Sequence, residues 1–544
     1  MPVRILSLLI ALVLVNVLLL APQWLLAGRP GPTWIALEAC LVVGLFAVLP
    51  RGRWSAVLAT VTALALVLLS VLAFADVAAR EILARPLNLY LDLHLLSAVY
   101  NLMTGTLGSA IAGLVVLCVV LGAAVLAWFL AFLLSPIEVQ KGRRIIRAVG
   151  VALIAFFCIA FASHTMLGRT RRMALPAVQI TTDQVRYVFL MLNERERFAA
   201  ELEAAPAGYA SLPHPLLQLQ GVDVLLVFLE SYGVSALYDP RYAPVIRPRL
   251  EDLAARMADA GLHLTTGTLV APTQGGQSWL SHLSLLSGMW VDNQLRYDLL
   301  LTSGRETLIN DFSRAGHRTV ALLPAITLAW PEGERLGYDE ILAQRDIDYA
   351  GPALNWVTMP DQFTWSVLEH TIRAADDVRP VFAEVGLISS HAPWTPILPV
   401  LDWASIGDGS VFARWEHAGE RPDDLWQDWD RVREHYALSV DYAINTMIGY
   451  AERYVDDRTL LIVLGDHQPA PMITGDNSSR AVPVHVISGD PALLQPFLDW
   501  GFKRGALPDP DQPAPRMDAF RDWFVRAFSE PAAAPGTKAT VARE

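Results

Sequence analysis

The chain has 544 residues, 53% of them hydrophobic, and a formal net charge of -12 at pH 7. That length allows several domains, and the apolar excess is high for a purely soluble enzyme. The acidic balance gives no reason to expect nucleic acid as a partner. Its three cysteines, Cys40, Cys118 and Cys158, all fall before residue 168, so no disulfide partner exists in the remainder of the chain.

The apolar excess is concentrated near the start. Runs at roughly 4–22, 34–50, 54–75, 108–134 and 145–167 approach or exceed the length needed to cross a hydrocarbon core of about 30 Å. They predict a five-span bundle over 1–168. Cationic loops stay in the cytoplasm. Arg51 and Arg53 follow the second run, and Lys141, Arg143, Arg144 and Arg147 separate the fourth from the fifth. Arg29 after the first run is a weaker signal, and Arg169, Arg171 and Arg172 are discordant with it. The larger cluster sets the expectation: N-terminus inside, five crossings, and everything after 168 outside the cytoplasm.

Between Asp76 and Leu107 the residues Arg80, Glu81, Arg85, Asp92 and His94 make a segment too polar to span. It reads as interfacial helices near 77–107. Residues 184–205 have amphipathic helical spacing, and Pro206, Gly208, Pro213 and Pro215 mark a linker, so 169–216 joins two domains. From 217 to 530 strand-like runs (VDVLLVFLE, RTVALLP, PVFAEVGLIS, TLLIVLG, VPVHVIS) alternate with helical segments at 249–260, 362–375 and 433–453. Near-continuous apolar strands between helices predict an α/β domain with a mainly parallel sheet. The composition of the last residues, 531–544, predicts disorder.

Open α/β sheets collect ligands outside the carboxyl ends of their strands. Two runs end there in metal-ligand chemistry, VDVLLVFLE on Glu230 and TLLIVLGDH on Asp466 and His467. A carboxylate at a buried strand end needs a partner, and carboxylate plus imidazole suits a divalent ion. A solvated strand-end Glu is the plainer alternative for Glu230. Ser278 follows Gly275, Gly276 and Gln277 and opens SWLSHLSLLSG. At a helix start its hydroxyl sits in positive potential beside free amides. Serine is a weak nucleophile at neutral pH, and a nearby divalent ion lowers the cost of its alkoxide. Helix capping is the plainer role, compatible with the first.

These residues resemble the alkaline phosphatase superfamily, in the membrane-anchored, sulfatase-like branch that includes lipoteichoic acid synthases, other phosphoglycerol transferases and, more distantly, phosphoethanolamine transferases. Glu230 in FLESYG matches the family's first metal carboxylate, and Asp466-His467 in LGDHQ its C-terminal pair. Ser278 in TQGGQS falls where phosphoglycerol transferases carry a nucleophilic Thr, and SWLSHLSLLSG keeps the register of the sulfatase signature. Thr273 is the reserve candidate. The resemblance implies five spans, an outer sulfatase-like domain, and one divalent ion, Mn or Zn, held by Glu230, Ser278, Asp466 and His467. His391 in ISSHAPWTP matches a family His that contacts phosphate, and Trp330 matches a Trp that contacts glycerol phosphate. Trp394 and His282 complete the expected substrate-binding set.

Departures bear on the reaction. Leu280 and His282 stand where the sulfatase signature has Pro and Arg, which disfavours formylglycine formation and sulfatase activity. Glu332 stands where lipoteichoic acid synthases carry an Arg. The outer domain lacks the cysteines general among phosphoethanolamine transferases. The resemblance therefore implies a phosphotransferase in a bacterial inner membrane, with its catalytic domain on the periplasmic or extracellular side. It would move phosphoglycerol or a similar head group from a phospholipid donor to a glycan or lipid acceptor. Phosphoethanolamine transfer, phosphatase or phosphodiesterase chemistry, and a sulfatase-type hydrolase remain open alternatives. A silent membrane scaffold fits poorly with a complete ligand set.

Overall fold

A computed structural model describes residues 2–26, 33–135, 142–166, 172–204, 215–475 and 478–529. The linker residues Pro206, Gly208 and Pro213, the tail 531–544, and Arg29, Lys141, Arg169 and Arg171 lie outside the described residues. The chain divides into two compact units, Met1–Glu194 and Arg195–Glu544.

The first unit is helical: α1 (Pro2–Leu26), α2 (Leu37–Val48), α3 (Arg53–Leu83), α4 (Leu89–Asp92), α5 (Leu95–Leu107), α6 (Ser109–Leu134), α7 (Arg143–Met166) and α8 (Pro176–Glu203), the last running into the second unit. Five spanning helices are expected, and among the described residues four are long and apolar enough: α1, α3, α6 and α7. The second apolar run instead gives the 12-residue α2, only about 18 Å long at 1.5 Å per residue. Its ends explain the shortfall. Ile35 and Ala36 form a short strand, β1, paired with β2 (Met173–Ala174), and Pro50 disfavours helix at Leu49, which is extended at φ -57 and ψ 139. In the polar stretch, α3 continues to Leu83 before the shorter α4 and α5.

Two contacts fix this bundle. Gly44 of α2 meets Gly150 of α7 so closely that a Cβ on Gly150 would lie 2.8 Å from the Gly44 carbonyl oxygen, the close approach that small residues permit between membrane helices. Arg4, near the start of α1, donates to the carbonyls of Phe46 (3.1 Å), Leu133 (2.9 Å), Leu134 (3.1 Å) and Ser135 (2.8 Å). The last carbonyls of a helix have no partner within it. Arg4 supplies one for α2 and for α6, and so brings both C-terminal ends to the N-terminal end of α1.

The second unit is built on an eight-stranded sheet ordered β10-β4-β9-β8-β3-β7-β5-β6. In chain order these are β3 (Asp223–Leu229), β4 (His263–Val270), β5 (Arg318–Leu323), β6 (Glu340–Ala343), β7 (Val381–Leu387), β8 (Thr459–Gly465), β9 (Ala481–Ser488) and β10 (Lys503–Arg504). Strands β8, β3, β7, β5 and β6 pair in parallel; β9 pairs antiparallel with both β8 and β4, so β4 runs in the same direction as the parallel strands, and β10 pairs antiparallel with β4. Side chains alternate across a strand. Leu225, Val227 and Leu229 face a core shared with α9 (Val234–Tyr238), α10 (Ala243–Asp259) and the helix Trp429–Tyr454. Val224, Leu226 and Phe228 face a second core with α11 (Ser278–Ser287) and the helix Ala519–Ser529. Burial on both faces is what the near-continuous apolar runs require.

Register places the site. Leu229 pairs with both Gly465 and Leu387, so β3, β8 and β7 end level at one edge. The residues that follow them, Glu230, Asp466-His467 and His391, leave the sheet on that edge.

Candidate active site

Glu230 leaves β3 into a tight turn in which Ser231 adopts a left-handed φ of 55°. There the Ser231 amide donates to Asp466 Oδ1 at 2.8 Å and its hydroxyl donates to Glu230 Oε1 at 2.7 Å. Asp466 Oδ1 also accepts from the His467 amide at 2.6 Å. His467 Nδ1 lies 2.9 Å from the Gln468 carbonyl, and donation there leaves Nε2 as the free nitrogen. Nε2 is 3.6 Å from both Glu230 Oε1 and Asp466 Oδ2.

Ser278 reaches this cluster through the turn before it. Gly275 and Gly276 have φ of 75° and 144°, and Gln277 is left-handed at 65°, a sharp reversal that leaves Ser278 as the first residue of α11. The Gly275 amide donates to the Gln468 carbonyl at 2.8 Å, tying the turn before Ser278 to the Asp-His segment. Ser278 Oγ is 3.2 Å from His467 Nε2 and 3.4 Å from Glu230 Oε2. Glu230, Asp466 and His467 each offer a ligand atom within 4.8 Å of the others.

The electrostatics call for a cation. Burial, and then the charge of Glu230, push the Asp466 carboxyl up to about 6. Burial would raise Glu230 as well, but His467, His391 and the Ser231 hydroxyl hold it below its ordinary value. Burial opposes the charge on His467, yet Asp466 and Glu230 together lift it above the usual range. A buried carboxylate, Asp466, and a partly buried one, Glu230, repelling each other beside an imidazole and a hydroxyl, form an oxygen and nitrogen donor set that fits a divalent ion such as Mn or Zn.

The other expected residues divide. His391 lies near enough for its charge to act on Glu230, with Nδ1 2.6 Å from the Ala392 carbonyl. His282, one turn beyond Ser278, stacks on Phe228 with ring centroids 3.7 Å apart and has Nδ1 2.7 Å from Glu384 Oε1. Trp330 covers Gly333, where a Cβ would lie 2.3 Å from the indole ring, and bonds Tyr297. Trp394 is buried: its indole N–H donates to the Ser390 carbonyl at 2.7 Å, and its ring stacks on Trp426 at 5.7 Å. Thr273 is also buried, its hydroxyl 3.2 Å from that of Ser281. Asp441 is bound by Arg249 at 2.8 and 3.1 Å, and His485 is enclosed between Tyr232 and Thr266, both structural roles.

Sequence reasoning missed Glu384 and Tyr338. Glu384 sits mid-strand in β7, fully buried, accepting from His282 and from the Tyr338 hydroxyl. The signal was present, since a lone carboxylate inside an apolar strand is costly unless it is paired.

No family model matches the chain, and no curated protein does. Solved structures are similar to it. The lipoteichoic acid synthase LtaP from Listeria monocytogenes shows 12% identity and a TM-score of 0.34 over 54% of this chain and 71% of that one. The phosphoglycerol transferase GacH from Streptococcus pyogenes, in complex with sn-glycerol-1-phosphate, shows 12% and 0.34 over 54% and 72%. The chain is likewise similar to a protein of the alkaline phosphatase superfamily from Vibrio parahaemolyticus, at 15% identity and a TM-score of 0.33 over 55% of this chain and 68% of that one.

Proposed function

We propose that this protein is a membrane-anchored, metal-dependent phosphotransferase that moves phosphoglycerol, or a similar head group, from a phospholipid to a hydroxyl of a glycan or lipid acceptor. One observation carries the reading: Ser278 Oγ, at the start of α11, stands 3.2 Å from His467 Nε2 and 3.4 Å from Glu230 Oε2, at the edge of the carboxylate pair Glu230 and Asp466. A divalent ion held by Glu230, Asp466, His467 and Ser278 would supply positive charge against the serine alkoxide and the transferring phosphoryl group.

The chain's own groups supply the rest. Ser278 Oγ attacks phosphorus, the ester bond to diacylglycerol breaks, and a phosphoserine remains. An acceptor hydroxyl then attacks that phosphorus and releases Ser278. The first amides of α11 have no helical partner and present donors to the phosphoryl oxygens. His391 lies beside Glu230, where it can contact the phosphate.

Membrane anchoring suits a lipid donor. The Arg4 contacts support five crossings, because α2 must return to the end where α1 begins, and residues 33–36 extend that return beyond the helix. Arg51, Arg53, Arg143, Arg144 and Arg147 flank this same end of the bundle, and because cationic flanks stay in the cytoplasm, they support a catalytic unit on the outer side.

The test uses the purified full chain, a divalent ion and phosphatidylglycerol labelled in its head group. Diacylglycerol release with label on the wild-type protein, and neither from Ser278→Ala, is the expected result. Equal release from both would overturn the nucleophile. Labelled phosphatidylethanolamine in a parallel arm separates the two head groups, and free glycerol phosphate as the product would identify a hydrolase.

A further inference from the structure

We propose that His282 carries the proton exchanged with the leaving and incoming alcohols, and that Glu384, held by Tyr338, is the positioning residue that orients it. This rests on the phosphotransfer reading above and assigns the part of that reaction which the ligand cluster leaves undone.

His282 is four residues from Ser278 on α11, and residues at that spacing share a helix face. Its ring lies flat on Phe228, 3.7 Å between centroids and 14° between planes, and its charge reaches Asp466. The imidazole thus shares the face of α11 that carries Ser278, and its ring is fixed in plane. Ser278 makes no demand on it, since the serine hydroxyl already meets His467 and Glu230.

Glu384 explains how the ring is set. Its register partners on β3 and β5 are Leu226 and Ala321, and its side chain is 2% exposed, an apolar setting that an unpaired carboxylate could not occupy cheaply. Both oxygens are used: Oε1 at 2.7 Å from His282 Nδ1, and Oε2 accepting from the Tyr338 hydroxyl. Burial and the adjacent Glu384 charge push the Tyr338 phenol well above its ordinary value, so it stays a donor. With Nδ1–H committed to Glu384, Nε2 is left to exchange a proton. A carboxylate behind an imidazole fixes its tautomer and the orientation of its ring.

The proton balance closes over one cycle. In the first half, Ser278 Oγ bonds to phosphorus, the bond from phosphorus to the diacylglycerol oxygen breaks, and His282 Nε2–H delivers its proton to that oxygen. In the second half, neutral Nε2 takes the acceptor's hydroxyl proton as the acceptor oxygen bonds to phosphorus. The Ser278–phosphorus bond breaks with its electron pair returning to Oγ. Ser278 begins and ends the cycle deprotonated, and His282 begins and ends it protonated.

Leaving groups test this directly. The full chain in detergent with Mn²⁺ is given two donors with one head group, dioleoyl phosphatidylglycerol and the 4-nitrophenyl diester of glycerol phosphate, and first-turnover alcohol release is measured. Nitrophenolate departs without a proton. His282→Gln is expected to slow diacylglycerol release by about 10²- to 10⁴-fold while nitrophenolate release stays within about tenfold of wild type. Glu384→Gln, which keeps the side chain's shape, is expected to show the same split to a smaller extent, and imidazole added to His282→Ala should restore diacylglycerol release alone. Equal losses on both donors in His282→Gln and Glu384→Gln would overturn the proposal while leaving phosphotransfer intact. Release unchanged by Ser278→Ala would overturn the phosphotransfer reading, and this proposal with it.

Discussion

Ser278 and His282 stand four residues apart on α11 and are met by different carboxylates, Glu230 at 3.4 Å from Ser278 Oγ and Glu384 at 2.7 Å from His282 Nδ1. The two carboxylates come from neighbouring parallel strands, one from the end of β3 and one from inside β7. One helix therefore carries two side chains, each held by its own carboxylate. The end of β3 opens onto the ligand cluster, where charge can be neutralised by an ion. Inside β7, the Glu384 carboxylate is held by hydrogen bonds from His282 and Tyr338.

The first prediction concerns the ion itself. Glu230 and Asp466 are held together, and burial raises Asp466 to about 6, so a cation that binds the folded state should stabilise it. Mn²⁺ added to chelator-treated protein is expected to raise the unfolding midpoint, by roughly 2.7 kcal/mol of stability at a hundredfold excess over Kd. Asp466→Asn removes one charge and a ligand, and is expected to lose most of that rise. Tryptophan fluorescence on heating gives the measurement. A full Mn²⁺ shift in Asp466→Asn would exclude Asp466 from the site.

Gly465 gives the second. It ends β8 directly before Asp466, and a Cβ there would lie 1.8 Å from the Tyr232 carbonyl oxygen, a backbone atom that cannot swing aside. Gly465→Ala is expected to cost about 1–3 kcal/mol of stability through overpacking. It should also displace Asp466 from the Ser231 amide it now meets at 2.8 Å. A misplacement of about 1 Å costs roughly 10²-fold in rate, so diacylglycerol release should fall much further than the folded fraction does.

The parallel strands β3, β5, β7 and β8 were legible in the sequence because each is an apolar run buried on both faces. The ligand cluster was legible because its members sit at the ends of two of them. Strand β4 was not, since HLTTGTLV carries threonines and a glycine, and its place is set by antiparallel pairing with the distant β9, from His263 against Ser488 to Val270 against Ala481. The helix expected at 362–375 changes from α to π geometry at Leu368, a local change that apolar spacing does not encode. Trp394 looked available for substrate in ISSHAPWTP, yet Trp426 and Tyr436 enclose it from elements far along the chain.

Asp361 supplies a prediction on pH. It is completely buried, accepting from the Ile388 and Ser389 amides at 2.8 Å each, while Oδ2 has no partner. Burial, outweighing those bonds, raises its carboxyl from 3.8 to about 6. The folded state therefore holds this proton more tightly than the unfolded state. The resulting stability is fully present below about pH 4 and is lost as pH rises through 6, a change of roughly 3 kcal/mol at about 1.4 kcal/mol per unit. Asp361→Asn keeps an acceptor for both amides and carries no charge. Its midpoint should stay flatter than wild type between pH 4 and 6.5, and an unchanged slope would remove Asp361 as the cause.

Membrane topology can be decided by labelling, because the two ways of counting crossings predict opposite results. If α2 did not cross, residues 27–52 would stay on the side reached by α1, and three further spans would return the catalytic unit to the side of the N-terminus. The Arg4 bonds argue otherwise, since they hold the Phe46 carbonyl at the end of the bundle where α1 begins. Cysteine placed at Gly52, whose Cβ would meet nothing within 4 Å, and at the fully exposed Val378 reports both sides once Cys40, Cys118 and Cys158 are replaced. With five crossings, a membrane-impermeant maleimide applied to cells with a permeable outer envelope should label Val378→Cys, and should reach Gly52→Cys only after lysis. The reverse pattern would mean four crossings and a cytoplasmic active site, and a lipid donor in the outer leaflet would then be out of reach.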